Sequence, residues 1–426
     1  MNRNSCIKLL VSPAREFFRM LNPRLRSLDG LRVIAEYFVV RHHVVEGKEG
    51  WGGSSPMGVD IMSFFFVLSG FVTMWMFHDA DTGTWEARYR FLRGRVERFL
   101  PMYVINWGLG LPSAIYLTLH YGCALHAVCP VLQLAGLDVW FGCGFIYLSN
   151  ATSWYVSTLF WLWACWALVK DRLLLWLEDA NSAWERVYAL GLLWLWLPVI
   201  MWSLDIYTVS PFPLARLGEF LVGCGVACLL LLHRDRDPPV WLKDGRYWYP
   251  VIGVILLYNI QQQRHGMSFL CLGERPQQEG CGVWRWPQPR LEQSPPCMTV
   301  LEKLVNKYAL VWAGLIYGVA REELEGKEEG WTQRVLKSDV LQFLSTFSFT
   351  LYLAHLNVSA VMKDVAWALL GWEYGDWGND TLLFCTYLAC YGLHRGVKYA
   401  LEPAAPDNKE EEEAARLTTG GTTCSP

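Results

Sequence analysis

The sequence is short of the signatures that usually disclose an enzyme. It holds no G-x-S-x-G nucleophile elbow, no H-E-x-x-H zinc motif, no Walker A loop and no dinucleotide fingerprint. The cysteine spacings match no zinc pattern completed by a nearby histidine, so no metal is expected. Charge is scarce and balanced. A net charge of only -3 over 426 residues removes the electrostatic case for a nucleic-acid partner. The N-terminal stretch MNRNSCIKLLVSPAREFFRM lacks both an apolar core and a small-residue cleavage site. A cleaved signal peptide is therefore not expected, and the first apolar helix takes over that role.

What is present is apolar and unevenly distributed. Hydrophobic residues make up 53% of the chain, with 23 tryptophans, above the usual soluble range. They fall in blocks separated by charged connectors such as HRDRDPP and REELEGKEEG. Residues 58–77, 101–119, 189–209, 216–232 and 341–362 each approach the roughly 20 residues needed to span a bilayer. Segments 154–169, 249–260, 308–320 and 381–397 and the opening helix are further candidates. The expectation is an all-α polytopic membrane protein, a single bundle of about ten transmembrane helices. A cytosolic basic segment is expected over residues 1–26, the membrane domain over 27–400, and a disordered acidic tail over 401–426.

Arginine and lysine placement orients the bundle. Basic residues cluster before the first span, between the second and third (Arg88, Arg90, Arg93, Arg95, Arg98), after the fourth (Lys170, Arg172, Arg186) and after the sixth (Arg234, Arg236, Lys243, Arg246). These connectors share one side if every span crosses once, and that side is predicted to be cytosolic. Cys123, Cys129 and Cys143 then fall in one outer loop, and Cys271, Cys281 and Cys297 in another. One to three disulfides are expected there, with pairing not readable from spacing.

The segment RSLDGLRVIAEYFVVRHHV (26–44) places ionisable groups in an apolar run. At about 100° per residue, His43 returns to within about 20° of Arg32, Glu36 lies about 40° away, and Asp29 about 60° on the other side. These four form one polar stripe. His42 is rotated about 80° from Arg32 and is the poorer member. Arg32 and His43 are about 16 Å apart along the axis, so they cannot touch, but one long substrate can pass both. An interfacial salt-bridge cluster accounts for Asp29 and Arg32 but not for Glu36 in hydrocarbon. Histidine can take a proton from a hydroxyl, and arginine can hold phosphate or carboxylate. That combination points to group transfer onto an alcohol.

The same stretch, LDGLRVIAEYFVVRHHV, resembles the first span of the membrane acyltransferase-3 family, polytopic enzymes that O-acylate glycans, lipids and small molecules. Further segments are similar to family motifs and occur in family order. They are FFFVLSGFVTMW (64–75), FLRGRVERFLPMYVI (91–105), SWYVSTLFWL (153–162), ARLGEFLVGCGVA (215–227) and FLSTFSFTLYLAH (343–355). The resemblance implies O-acyl transfer from acyl-CoA, acetyl-CoA by default, to a hydroxyl-bearing acceptor, with no bound cofactor and the lipid bilayer as surroundings. It implies His43 as the essential histidine, with Arg32 and Glu36 beside it in the catalytic set. Arg32, Arg95, Arg98, Arg216 and His355 are the expected donor-binding groups. Two departures stand out: Ser63 and Leu159 occupy places where many members carry a carboxylate. A transporter using the same polar groups, or an inactive scaffold or sensor of the family fold, remains an alternative reading.

Overall fold

A computed structural model describes residues 23–44, 56–121, 125–141, 143, 149–178, 212–232, 250–253, 308–326, 330–371 and 379–401. The expected spans at 189–209 and, apart from 250–253, at 249–260 lie outside these residues. So do the N-terminal segment through residue 22, the acidic tail from 402, and Cys123, Cys271, Cys281 and Cys297.

The described elements are helical: α1 (Arg26–Val44), α2 (Pro56–Phe77), α3 (Trp85–Tyr121), α4 (Leu125–Leu134), α5 (Trp154–Glu178), α6 (Pro213–Leu232), α7 (Ala309–Glu325), α8 (Trp331–Leu336), α9 (Asp339–Ser345), α10 (Ser348–Leu370) and α11 (Asn379–Leu401), with a 3-10 turn at Ala151–Ser153. Two expectations change. Segment 101–119 is the second part of a 37-residue helix that also takes in the basic connector, passing through Pro101 and Pro112. Segment 341–362 is two helices, α9 and α10, separated at Thr346 and Phe347.

Side-chain pairs give the helix directions. Trp75, late in α2, donates to the Pro23 carbonyl before α1, so α1 and α2 are antiparallel. Tyr155 meets Phe65 and Ser69, while Lys170 reaches the carbonyls of His78 and Ala80, so α2 and α5 run together. Phe91 packs on Trp166 and Phe99 on Trp163, setting α3 against α5. Phe99 meets Phe349 and Asn357 donates to the Asn106 carbonyl, so α3 and α10 run together. Glu323 receives the Ser27 backbone N–H, setting α7 against α1, and Thr350 meets His394, setting α11 against α10. Thus α1, α3 and α10 point one way, and α2, α5, α7 and α11 the other.

Helices α2 and α6 pack backbone to backbone. A Cβ on Gly70 would strike the Phe220 backbone carbonyl, and one on Gly223 the Val67 carbonyl. Only glycine lets these backbones meet, and the Cys224 thiol then donates to the Gly70 carbonyl at 3.4 Å. Arg216, early in α6, lies over Phe66, and Cys224, eight residues on, reaches Gly70, so α6 runs with α2. Among the described residues α6 is also the one helix long and apolar enough by itself to cross a membrane (Pro213–Leu231), and it lies mostly buried in the centre of the bundle. The large aromatic side chains Phe64, Phe66, Phe71, Trp166 and Phe220 fill the core around it. The apolar stretch Ile61–Phe77 of α2 falls short in length, and α1 carries charge at Asp29, Arg32, Glu36 and Arg41.

Candidate active site

The polar stripe of α1 faces α10. His43 Nδ1 lies 2.9 Å from His355 Nε2, with the rings stacked at 5.1 Å and 25°. Seven residues earlier on each helix, Glu36 meets the Ser348 hydroxyl and the Tyr352 backbone. Two helical turns therefore separate the two contacts on both strands of the pair, as parallel helices in register require. Glu36 is 2% exposed and its Oε1 has no hydrogen-bond partner. His42 is turned from this contact, with its ring centroid 5.0 Å from that of His43.

The tautomers follow from the surroundings. His355, fully buried, has Nδ1 facing the carbonyls of Leu351 at 3.1 Å and Tyr352 at 2.8 Å. Carbonyls only accept, so Nδ1 carries the proton and Nε2 is the acceptor. His43 must then donate from Nδ1 to His355. Its own Nε2 is left as the lone-pair nitrogen, the form a general base needs.

The arginines expected at the donor side separate into two kinds. Arg32 stays part-exposed. It donates to the Ser345 carbonyl at 3.2 Å and pairs with Asp29 at 3.4 Å, while Arg24 holds the other Asp29 oxygen at 2.6 Å. Arg98 is exposed on α3. Arg95, one turn earlier, is tucked inward, its guanidinium 4.2 Å from the Phe77 ring centroid and 5.3 Å from that of Trp163. Its Nε and Nη2 have no hydrogen-bond partner. Burial, with the neighbouring Arg98 charge, lowers its pKa to about 10, which leaves it charged at neutral pH. Arg216 is fully buried. Its Nη1 donates to both Glu219 oxygens at 3.0 and 3.1 Å, and its guanidinium lies over Phe66 and Trp154.

Toward the far end of α3 and α10, Cys129 of α4 is bonded to Cys143. This is one disulfide of the expected kind. It closes a strap that carries Gln133 and Asp138, neither of which the sequence singled out. Asp138 is 1% exposed, and one of its oxygens lacks a partner. Burial raises its carboxyl to about 6, against which a hydrogen bond from Ser157 acts. The only local signal for Gln133 was an amide inside an otherwise apolar run, AVCPVLQLAGL, which is too common to identify a site. Among the described residues no group of three or more His, Cys, Asp or Glu side chains is placed to hold a metal ion.

A family model described as an acyltransferase domain, of the acyltransferase-3 kind, matches residues 25–393. No curated protein and no solved structure matches the chain.

Proposed function

The chain belongs to the membrane acyltransferase-3 family, and from that premise we propose that it is an O-acyltransferase that moves an acyl group, acetyl by default, from acyl-CoA to a hydroxyl of a glycan, lipid or small molecule. The observation that carries the reading is the His43–His355 contact, whose tautomers leave His43 Nε2 free to take a proton. His43 removes the proton from the acceptor hydroxyl as its oxygen attacks the thioester carbonyl. The C–O bond forms, the C–S bond breaks, and the proton passes to the departing CoA sulfur. His355 fixes the ring and steadies the imidazolium that forms on His43, the part a carboxylate plays in hydrolase triads. Arg32 and Arg98, the exposed cations of the expected set, meet the donor's phosphates. Arg95 and Arg216 have their charge enclosed by aromatic rings and by Glu219, which suits shaping the bundle.

We read the protein as a multi-pass membrane protein. The helix directions support this. The starts of α1 and α3 and the ends of α5, α7 and α11 share one end of the bundle, and they carry Arg24, Arg26, Arg88, Arg90, Arg93, Arg172, Arg321 and Lys398. That is the concentration expected on the cytosolic face. Helices α5 and α6 also run the same way, so the end of one and the start of the other lie at opposite ends of the bundle.

The test is transfer from labelled acetyl-CoA by the full chain in membranes, with cell extract as acceptor source. His43→Ala is expected to lower the rate by about 10²- to 10⁴-fold at unchanged abundance and donor binding, while His42→Ala stays near wild type. A His43→Ala protein that turns over normally overturns the assignment.

A further inference from the structure

The strap closed by Cys129–Cys143 is tied to the helix that carries His355. Gln133, fully buried, accepts at Oε1 from the Ser149 N–H at 3.1 Å, the Ser149 hydroxyl at 2.7 Å and the Asn150 N–H at 3.4 Å. Its Nε2 donates to the Asn150 carbonyl at 2.5 Å and to the Ser153 hydroxyl. One amide thus holds the whole 149–153 turn. That turn grips α10 on both sides of His355. Asn150 Nδ2 donates to the Leu353 carbonyl at 3.0 Å, and the single Thr152 hydroxyl proton is shared between that carbonyl at 3.0 Å and Asn150 Oδ1 at 2.8 Å, while Asn357 Nδ2 donates to the Ser149 carbonyl at 3.5 Å and to the Asn106 carbonyl at 2.9 Å. Leu353 and Asn357 flank His355 by two residues each. The carbonyls that set its tautomer, Leu351 and Tyr352, lie just before this grip.

We propose that Gln133 is a positioning residue for the reaction: through Asn150 and Thr152 it fixes the height and rotation of α10 at Leu353, and so the placement of His355 against His43. The inference rests on His43 and His355 forming the reacting site. Gln133, Ser149, Asn150, Thr152 and Ser153 are buried and neutral, and the turn has no other support of comparable extent among the described residues. A reacting group displaced by about 1 Å loses on the order of 10²-fold in rate, so loosening the turn is felt at His43 although Gln133 touches no substrate. The disulfide anchors the strap that carries Gln133 at both ends, Cys129 four residues before it and Cys143 ten after.

The experiment is a double-mutant cycle on acyl transfer by the full chain in membranes, at matched abundance. Gln133→Ala and Thr152→Val are each combined with His355→Gln. Thr152→Val keeps the shape of the side chain and removes one grip on Leu353, so it carries the cycle should Gln133→Ala fail to accumulate. Gln133→Ala is expected to lower kcat by about tenfold to a hundredfold with donor KM unchanged, and Thr152→Val by less. On the His355→Gln background neither is expected to lower the rate further, because the group they position is gone. Losses that multiply across the cycle, or a wild-type kcat in both single variants, overturn the proposal while leaving the site intact. Normal turnover of His43→Ala and His355→Gln instead overturns the site on which it rests.

Discussion

The Arg216–Glu219 pair and the His43–His355 pair are built on opposite plans. Arg216 and Glu219 sit three residues apart on one helix, and one guanidinium nitrogen donates to both oxygens of the carboxylate beneath two aromatic rings. His43 and His355 come from two helices and form a chain with direction, from the Leu351 and Tyr352 carbonyls through one ring into the next. The first is a closed ion pair, its charge met by the opposite charge within one helix. The second ends on a ring nitrogen with a lone pair. Burial alone does not mark a reacting group; the pair that leaves a valence unspent has chemistry to offer.

Breaking the closed pair gives the largest expected effect on stability. Arg216→Met leaves a buried carboxylate unpaired and is expected to cost about 3–5 kcal/mol, read as a fall in the unfolding midpoint of the detergent-purified protein. Replacing both partners with apolar residues recovers most of it. If the single variant unfolds like wild type, the two pairs do not differ in the way described.

Asp138 sharpens the contrast, because it is neither closed nor part of a chain. Its carboxyl binds a proton up to about 6, against an ordinary value of 3.8. The folded strap therefore favours the protonated form. Its stability is fully present below the ordinary value and is lost as the pH rises through about 6. A shift of this size corresponds to roughly 3 kcal/mol. Amide protection over residues 125–143, taken relative to the intrinsic exchange rate at each pH, is expected to fall between pH 4 and 7, and Asp138→Asn is expected to flatten that dependence. An unchanged slope in the variant removes Asp138 as the cause.

The open chain answers to smaller changes. His355→Phe keeps a ring but no acceptor for the His43 proton, and kcat is expected to fall by about 10- to 100-fold without a matching loss of unfolding midpoint. A loss of both together would place His355 with the closed pair. Smallest of all, Arg98→Ala is expected to raise the donor KM by at most about fivefold, since an exposed charge is well screened.

Several of these features could be read from residue order and several could not. The α1 stripe needed only the helical repeat, because Glu36 and His43 are seven residues apart and share a face whatever packs against them. Its partner was not legible: nothing in the spacing of His43 and His355 says that α1 and α10 run parallel in register. Arg95 and Arg98 look alike in a basic run, yet rotation about α3 sends one under Phe77 and leaves the other exposed. The break at Thr346 and Phe347 carries no proline or glycine to announce it. The disulfide partner of Cys129 depended on how the strap folds back, which is a tertiary fact.

One dimension of the fold has a mechanical reading. At about 1.5 Å per residue, the 37 residues of α3 extend for about 55 Å, against a hydrocarbon thickness of about 30 Å. A rod that long cannot be hidden in a bilayer by tilting alone. On the proposed topology its first turns, with Arg88, Arg90, Arg93 and Arg98, would stand among the headgroups of the cytosolic leaflet, where each cation is attracted to anionic lipid by about 1 kcal/mol. The helix continues through Asn106, whose carbonyl holds Asn357 of the helix that carries His355, so one helix and one hydrogen bond join the basic end of α3 to α10.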